Sequence, residues 1–259
     1  LAPKKHFDVI YYTGQNTSSL YNVTGLEFPP DLVIAKARNT NIGHIFIDTV
    51  RGNDRQIETP DYSAEVLRGS AAYRFLNDGF AVSTVGNLNN PNNYAAFCWR
   101  AGGRSNTYNI DDVGYATAAA AGLDGGTIDP TGASVNIDAG FSITTYTGNG
   151  TAGATIAHGL GKKPEWILIK RRDASDNWMV YHKGLDASSP QNYYLELNAT
   201  TTRVDSTIML NDTAPTSTLV TLGSDNSVNG NTATYVMYSW AGIPGYSKFG
   251  TYTGNDNDD

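Results

Sequence analysis

The sequence predicts an all-β protein made of two tandem, related β-sandwich modules of jelly-roll type. Three observations lead to it. The first is an internal repeat: Phe7-Asp8-Val9-Ile10-Tyr11-Tyr12-Thr13-Gly14 returns as Phe141-Ser142-Ile143-Thr144-Thr145-Tyr146-Thr147-Gly148, 134 residues on. The same offset places Pro30-Asp31-Leu32-Val33-Ile34-Ala35-Lys36 on Pro164-Glu165-Trp166-Ile167-Leu168-Ile169-Lys170, and about forty positions align without a gap. The second is the chemistry of the repeated blocks, which are β-branched and aromatic runs bounded by Gly, Asn and Asp. The third is composition. Charged residues are 17% of the chain, against a usual share of about 25%. The 27 Gly and 16 Tyr suit short strands joined by many turns.

The elements follow in order. Residues 1–101 form the first copy, with strands over Phe7–Thr13, Leu32–Lys36, Ile45–Asp48 and Tyr94–Trp99. Leu32–Lys36 follows a proline and is apolar on both faces, as in a strand covered on both sides. The cluster Gly86–Asn93 is a turn before the last strand. Residues 102–140 are a connector in which Asp111 or Asp112 is expected to cap a short helix ending at Gly122. A connector of this length is expected to be an arm packed on a neighbouring module or chain. Residues 141–259 form the second copy, with strands over Phe141–Thr147, Trp166–Lys170, Trp178–His182 and Tyr235–Trp240. Tyr252-Thr253-Gly254 repeats Tyr12-Thr13-Gly14 once more, as the start of a third copy or as a closing strand. The opening Leu1-Ala2-Pro3 has neither Met nor an apolar signal core, so the chain is expected to continue a longer polypeptide. Strands this short and this spaced fit a sandwich or a barrel.

Charge and cysteine content bound the function. The net charge is -7 and the isoelectric point is near 5.0. No basic stripe offers itself to nucleic acid, and an acidic chain is not drawn to an anionic membrane. No run approaches the roughly 18 apolar residues of a membrane helix. The one cysteine, Cys98, excludes an internal disulfide.

No residue is assigned to catalysis, a cofactor or a metal. Gly159-Leu160-Gly161-Lys162-Lys163-Pro164 is not a phosphate loop: Ile156 stands where its first Gly belongs, Lys163 replaces the Ser or Thr, and a strand follows instead of a helix. His6, His44, His158 and His182 lack zinc spacing, and His158 and His182 meet Thr24 and Asp48 in the other copy. Asp111-Asp112 are adjacent rather than set across a cleft. Asp173–Asn177 and Asn255–Asp259 offer oxygen ligands for calcium without the ordered spacing of a dedicated loop. Cys98 reads as a packed small residue, as Ser239 does in the other copy. Tyr12, Tyr146, Trp99, Trp166 and Trp240 read as core anchors. Tyr21, Tyr62, Tyr73, Tyr193 and Tyr194 are the candidates for stacking on sugar rings. The Asn-x-Ser/Thr triplets at Asn16, Asn22, Asn149, Asn198 and Asn211 matter only in a host that glycosylates.

The signature Phe-x-Val/Ile-x-x-Tyr-Thr-Gly, followed by Gly-Leu-x-x-x-Pro-Asp/Glu-Leu/Trp-Val/Ile-x-x-Lys-x-Arg, resembles a β-module repeated in large structural proteins of tailed bacteriophages, marine ones especially. The blocks Asp111–Leu123, Asn211–Ser217, Asn229–Asn231 and Gly245–Gly254 agree in order, so the resemblance spans nearly the whole chain. The first copy departs from it at Pro29-Pro30 and Ala35. In such proteins the module often follows an SPRY-like or lectin-like domain. The resemblance implies a non-enzymatic virion component: a tail fibre, tail appendage or head decoration. It implies partners among other virion proteins and copies of the chain itself, trimers being common in such fibres. It supplies no catalytic residues and no cofactor. The second expectation is a carbohydrate-binding, lectin-like module for host surface glycans, motivated by the surplus of Tyr, Asn and Thr.

Overall fold

The computed structural model describes residues 1–59 and 61–255. It is all-β. The strands of the first half are β1 (Phe7–Thr13), β2 (Tyr21–Thr24), β3 (Leu32–Ala37), β4 (His44–Asp48), β5 (Arg55–Thr59), β6 (Val66–Leu67), β7 (Tyr73–Phe75), β8 (Gly79–Val82) and β9 (Asn93–Trp99). The connector holds β10 (Tyr108–Ile110), β11 (Val113–Tyr115) and β12 (Gly132–Asn136). The second half holds β13 (Phe141–Thr147), β14 (Ala154–Ala157), β15 (Trp166–Arg171), β16 (Trp178–His182), β17 (Tyr193–Glu196), β18 (Val204–Asp205), β19 (Leu219–Leu222) and β20 (Thr234–Trp240). Helical structure among the described residues is confined to three single 3-10 turns, at Pro3–Lys5, Thr84–Gly86 and Pro190–Asn192.

Both halves use one strand order. The first main sheet runs β1-β9-β3-β4-β5-β6, and the second contains β13-β20-β15-β16-β17-β18. Their registers agree. Tyr12 lies opposite Tyr94 and Tyr146 opposite Tyr235, and each pair stacks, at 4.9 and 5.0 Å between ring centroids. The Tyr12 hydroxyl donates to the Leu88 carbonyl at 2.9 Å, and the Tyr146 hydroxyl to the Val228 carbonyl at 2.7 Å. The next residue along, Asn89 or Asn229, fastens the loop after the first strand in each half. Asn89 Oδ1 accepts from the Gln15 N–H at 2.7 Å, and Asn229 Oδ1 from the Asn149 N–H at 2.9 Å.

Each main sheet carries a small sheet on its outer face: β2-β8-β7 on the first and β14-β19 on the second. Strand alternation then divides the side chains. Val33 and Ala35 of β3 enter the first outer core with Val23, Phe80 and Tyr94. Ile167 and Ile169 of β15 enter the second with Ile156, Val220 and Met237. The opposite faces meet in a third core that joins the halves, where Leu32, Phe46 and Ile57 pack with Leu168, Trp178, Val180 and Tyr238. Phe46 lies 4.7 Å from Trp178, ring to ring. The chain is therefore four sheets deep, and its central strands are apolar on both faces because both faces are covered.

A buried ion-pair chain crosses this seam. Glu65 accepts from Arg51 at 3.1 Å, from Arg55 at 2.8 Å and from Arg172 of the second half at 3.0 Å through both Nε and Nη2. Arg51 also grips Asp48 at 2.5 Å, and Asp48 accepts the Tyr238 hydroxyl at 2.7 Å. Lys170, fully buried, donates to the carbonyls of Tyr62, Arg171 and Asp176 at 3.0 to 3.2 Å.

The connector departs from its expected form in two ways. No helix follows Asp111-Asp112. The two residues have φ of 48° and 69° and form the two-residue turn between β10 and β11, where Ile110 faces Val113. Asp tolerates the left-handed region that such a turn requires. The alanine run makes a single turn, closed by the Leu123 N–H on the Ala118 carbonyl at 2.9 Å, with Gly122 at φ 68°. Four alanines and a glycine are too few to repay helix nucleation. The connector also packs on its own chain. β12 pairs antiparallel with β13, β10 pairs parallel with β12, and Tyr108, Leu123 and Val135 join Ala157 and Leu160 in a fourth core.

Of the two readings of Tyr252-Thr253-Gly254, the closing strand is not formed: residues 251–255 lie outside any strand, and Tyr252 is 95% exposed. The halves also differ at their first strands. β13 is covered along its edge by β12 and is buried from Phe141 to Tyr146. β1, its counterpart, ends its sheet with an uncovered edge and is only half-buried.

Candidate functional site: an aromatic cavity at the seam

The repeated register sets an aromatic row at one end of each main sheet. In the first half Phe7 faces Trp99, which faces Leu32. In the second half Phe141 faces Trp240, which faces Trp166. All six belong to side chains that turn toward the seam, so stacking the sheets brings the two rows together. Trp240 sits at the centre, 4.4 Å from Trp166 and 5.0 Å from Phe141 in stacked contact. Trp99 meets it edge-on at 6.1 Å, and Phe7 lies 4.8 Å from Trp99.

The segment after β20 folds over this row. Reciprocal backbone bonds between Ile243 and Ser247, at 3.1 and 2.9 Å, close a tight turn. Gly245, at φ 79°, occupies the left-handed conformation inside it. The turn carries Tyr246, Ser247 and Phe249 to the lip, and Phe249 lies 6.2 Å from Trp166. The half-open cavity measures about 210 Å³ and is lined by Phe7, Trp99, Ala139, Phe141, Trp166, Trp240, Tyr246, Ser247 and Phe249. Tyr246 and Ser247 also belong to a neighbouring cleft of about 470 Å³, with Glu165, Lys183 and Gly242–Lys248. There the Glu165 carboxylate pairs with Lys183 at 2.8 Å. Burial pushes the Tyr246 hydroxyl up to about 12, and burial, then Lys183, lowers His182. The Trp240 indole Nε1 is buried and has no hydrogen-bond partner among the described residues.

The residues singled out by sequence do not converge elsewhere. His158 is a core histidine: its Nδ1 accepts the Leu160 N–H at 3.2 Å, and burial lowers it to about 4. His44 lies 3.3 Å from Thr59 Oγ1, and His6 Nδ1 meets Asn136 at 3.0 Å. Among the described residues no three His, Cys, Asp or Glu side chains are grouped as a metal site. Asp173 and Asp176 are engaged by Arg171 at 2.9 and 3.8 Å. Of Asn255–Asp259, residues 256–259 lie outside the described residues. Cys98 is fully buried, and burial raises its thiol above the usual range.

Of the tyrosines considered for sugar stacking, Tyr73 and Tyr194 are buried. Tyr21 packs against the first core and Tyr193 lies under the Arg203 guanidinium at 4.3 Å. Tyr62 is exposed, and its backbone carbonyl accepts from Lys170 Nζ and the Asp176 N–H. Sequence reasoning placed Trp99, Trp166 and Trp240 as core anchors; Trp240 is buried in the seam core, and Trp99 and Trp166 pack against that core, partly buried, at the cavity. It missed Phe7, Phe141 and Phe249. Their signal was the recurrence of Phe7 and Trp99 at Phe141 and Trp240, which shows two like rows but not that they face each other.

No curated protein and no solved structure matches the chain. A family model described as a domain of unknown function (DUF7483) matches residues 2–259. With nearly every residue inside that match, the chain belongs to the DUF7483 family.

Proposed function

We propose that the protein is a non-enzymatic structural component of a bacteriophage virion, a tail appendage or head decoration that assembles by strand addition at β1. The observation that carries the assembly reading is the contrast between equivalent edges. β12 covers β13 from Gly132 opposite Thr145 to Asn136 opposite Phe141. Moved back by 134 residues, that register puts an added strand along Phe7–Tyr11, where the described residues supply none. An unpaired strand edge is a template for another strand. Tyr11, 67% exposed, stands ready to cover it. The occupant is a β12-type strand from another repeat of this family. The phage context rests on the resemblance of the repeated signature.

The test uses hydrogen exchange on the full chain with a synthetic peptide of residues 130–138. Slowed exchange of the Phe7–Tyr11 amides on peptide addition, or on self-association at high concentration, is the expected result. A chain that stays monomeric at millimolar concentration, with β1 amides unchanged by the peptide, overturns strand addition. Immunogold labelling addresses the virion: antibody to the chain should decorate intact particles, and purified particles free of label overturn that part.

A further inference from the structure

We infer that the aromatic cavity and its adjoining cleft form a saccharide subsite, which takes the C–H face of one pyranose ring against the aromatic wall and its hydroxyls in the cleft. The inference stands on the cavity and goes beyond the assembly reading. Either can fail without the other.

Two features narrow the ligand. The wall is built of ring faces and edges, with Trp166 stacked on Trp240 and Trp99 inclined at 67° to it. Such surfaces take a flat set of C–H groups, another ring or a soft cation. The cleft, which shares Tyr246 and Ser247 with the cavity, separates these: Glu165 supplies a carboxylate and Lys183 an ammonium. Hydroxyl groups donate and accept, and need both kinds of partner. A pyranose combines an apolar C–H face with an oxygen rim, and satisfies both. The balanced Glu165–Lys183 pair in a chain of net charge -7 favours a neutral sugar over an acidic one.

The experiment titrates the full chain with neutral hexoses, N-acetylhexosamines and uronic acids, followed by tryptophan fluorescence and saturation-transfer NMR. Tetramethylammonium is the control cation. The expected result is saturable binding of a neutral sugar, weakened about tenfold by Trp166→Ala or Phe249→Ala through loss of stacking. Phe249 lies outside the strands, so its variant keeps the test valid if Trp166→Ala unfolds. Three outcomes overturn the inference: no sugar binding at millimolar concentration, sugar binding indifferent to Phe249→Ala, or tetramethylammonium binding in place of sugar.

Discussion

Glu65→Gln measures how much of the seam is held by charge. The Glu65 side chain is 5% exposed and Arg51 is fully buried, while Arg55 and Arg172 keep 40% and 17% of their side-chain surface. Burial alone would raise the Glu65 carboxyl. Arg172, Arg51 and Arg55 outweigh it and hold the group at about 2, against an ordinary 4.5. That difference corresponds to roughly 3 kcal/mol. Removing one partner of a buried ion pair costs about 3–5 kcal/mol, and Arg51 retains Asp48, so the lower end applies. The variant should lose about 3 kcal/mol at pH 7 in urea unfolding followed by tryptophan fluorescence, or about 10 °C in Tm. The pH dependence has a definite sign. The folded-state value lies below the unfolded one, so the contribution is complete above about pH 4.5, fades as pH falls, and is gone below about pH 2. The gap between the two proteins should close over that window. A gap below about 1 kcal/mol at pH 7, or one that does not change down to pH 2, refutes the reasoning.

Two further outcomes follow from buried groups. Asn229→Ala strips partners from the Asn149 N–H and from the Thr151 and Gly223 carbonyls, bonded at 2.9 to 3.0 Å, and should cost about 3 kcal/mol. Asn89→Ala strips the Gln15 N–H and the Thr17 carbonyl and should cost about 2 kcal/mol; urea unfolding in which Asn89→Ala is the more damaging contradicts this. His158, lowered by burial to about 4 from 6.5, binds its proton more readily when unfolded. Stability should therefore fall by roughly 3 kcal/mol as pH drops from about 6.5 to 4. His158→Gln should flatten that slope, and an unchanged slope in the variant assigns it elsewhere.

Much of this architecture was legible because strand signals are local. Phe7–Thr13, Phe141–Thr147 and Trp178–His182 have the bounds read from sequence, and the other repeated strands differ by a residue at one end. The final strands recur too, Trp99 returning as Trp240 141 residues on, and that recurrence already contained their register, since Trp99 and Trp240 each face the opening Phe of their half. The connector was not legible. β12 is Gly-Ala-Ser-Val-Asn, poor in strand formers, and is buried by its neighbours rather than by its own propensity. Asp111-Asp112 carries two meanings, cap and turn, and only the pairing of Ile110 with Val113 selects one. Glu65 left no signal, because Arg51, Arg55 and Arg172 stand 14, 10 and 107 residues away. The aromatic cavity was half legible: each row repeats, but their meeting is a property of stacked sheets.

The connector strand gives the repeat a direction. It leaves the first half and seals the edge of the second, while the edge at β1 is open among the described residues. Contacts made by the strand addition proposed at β1 would be head-to-tail, with unlike surfaces meeting, and would propagate as a row or a ring. Two β1 edges pairing with each other would instead close a twofold dimer and stop growth. A series built the first way has distinguishable ends, and its length is counted in repeats, as a filament's polarity is written into each of its subunits.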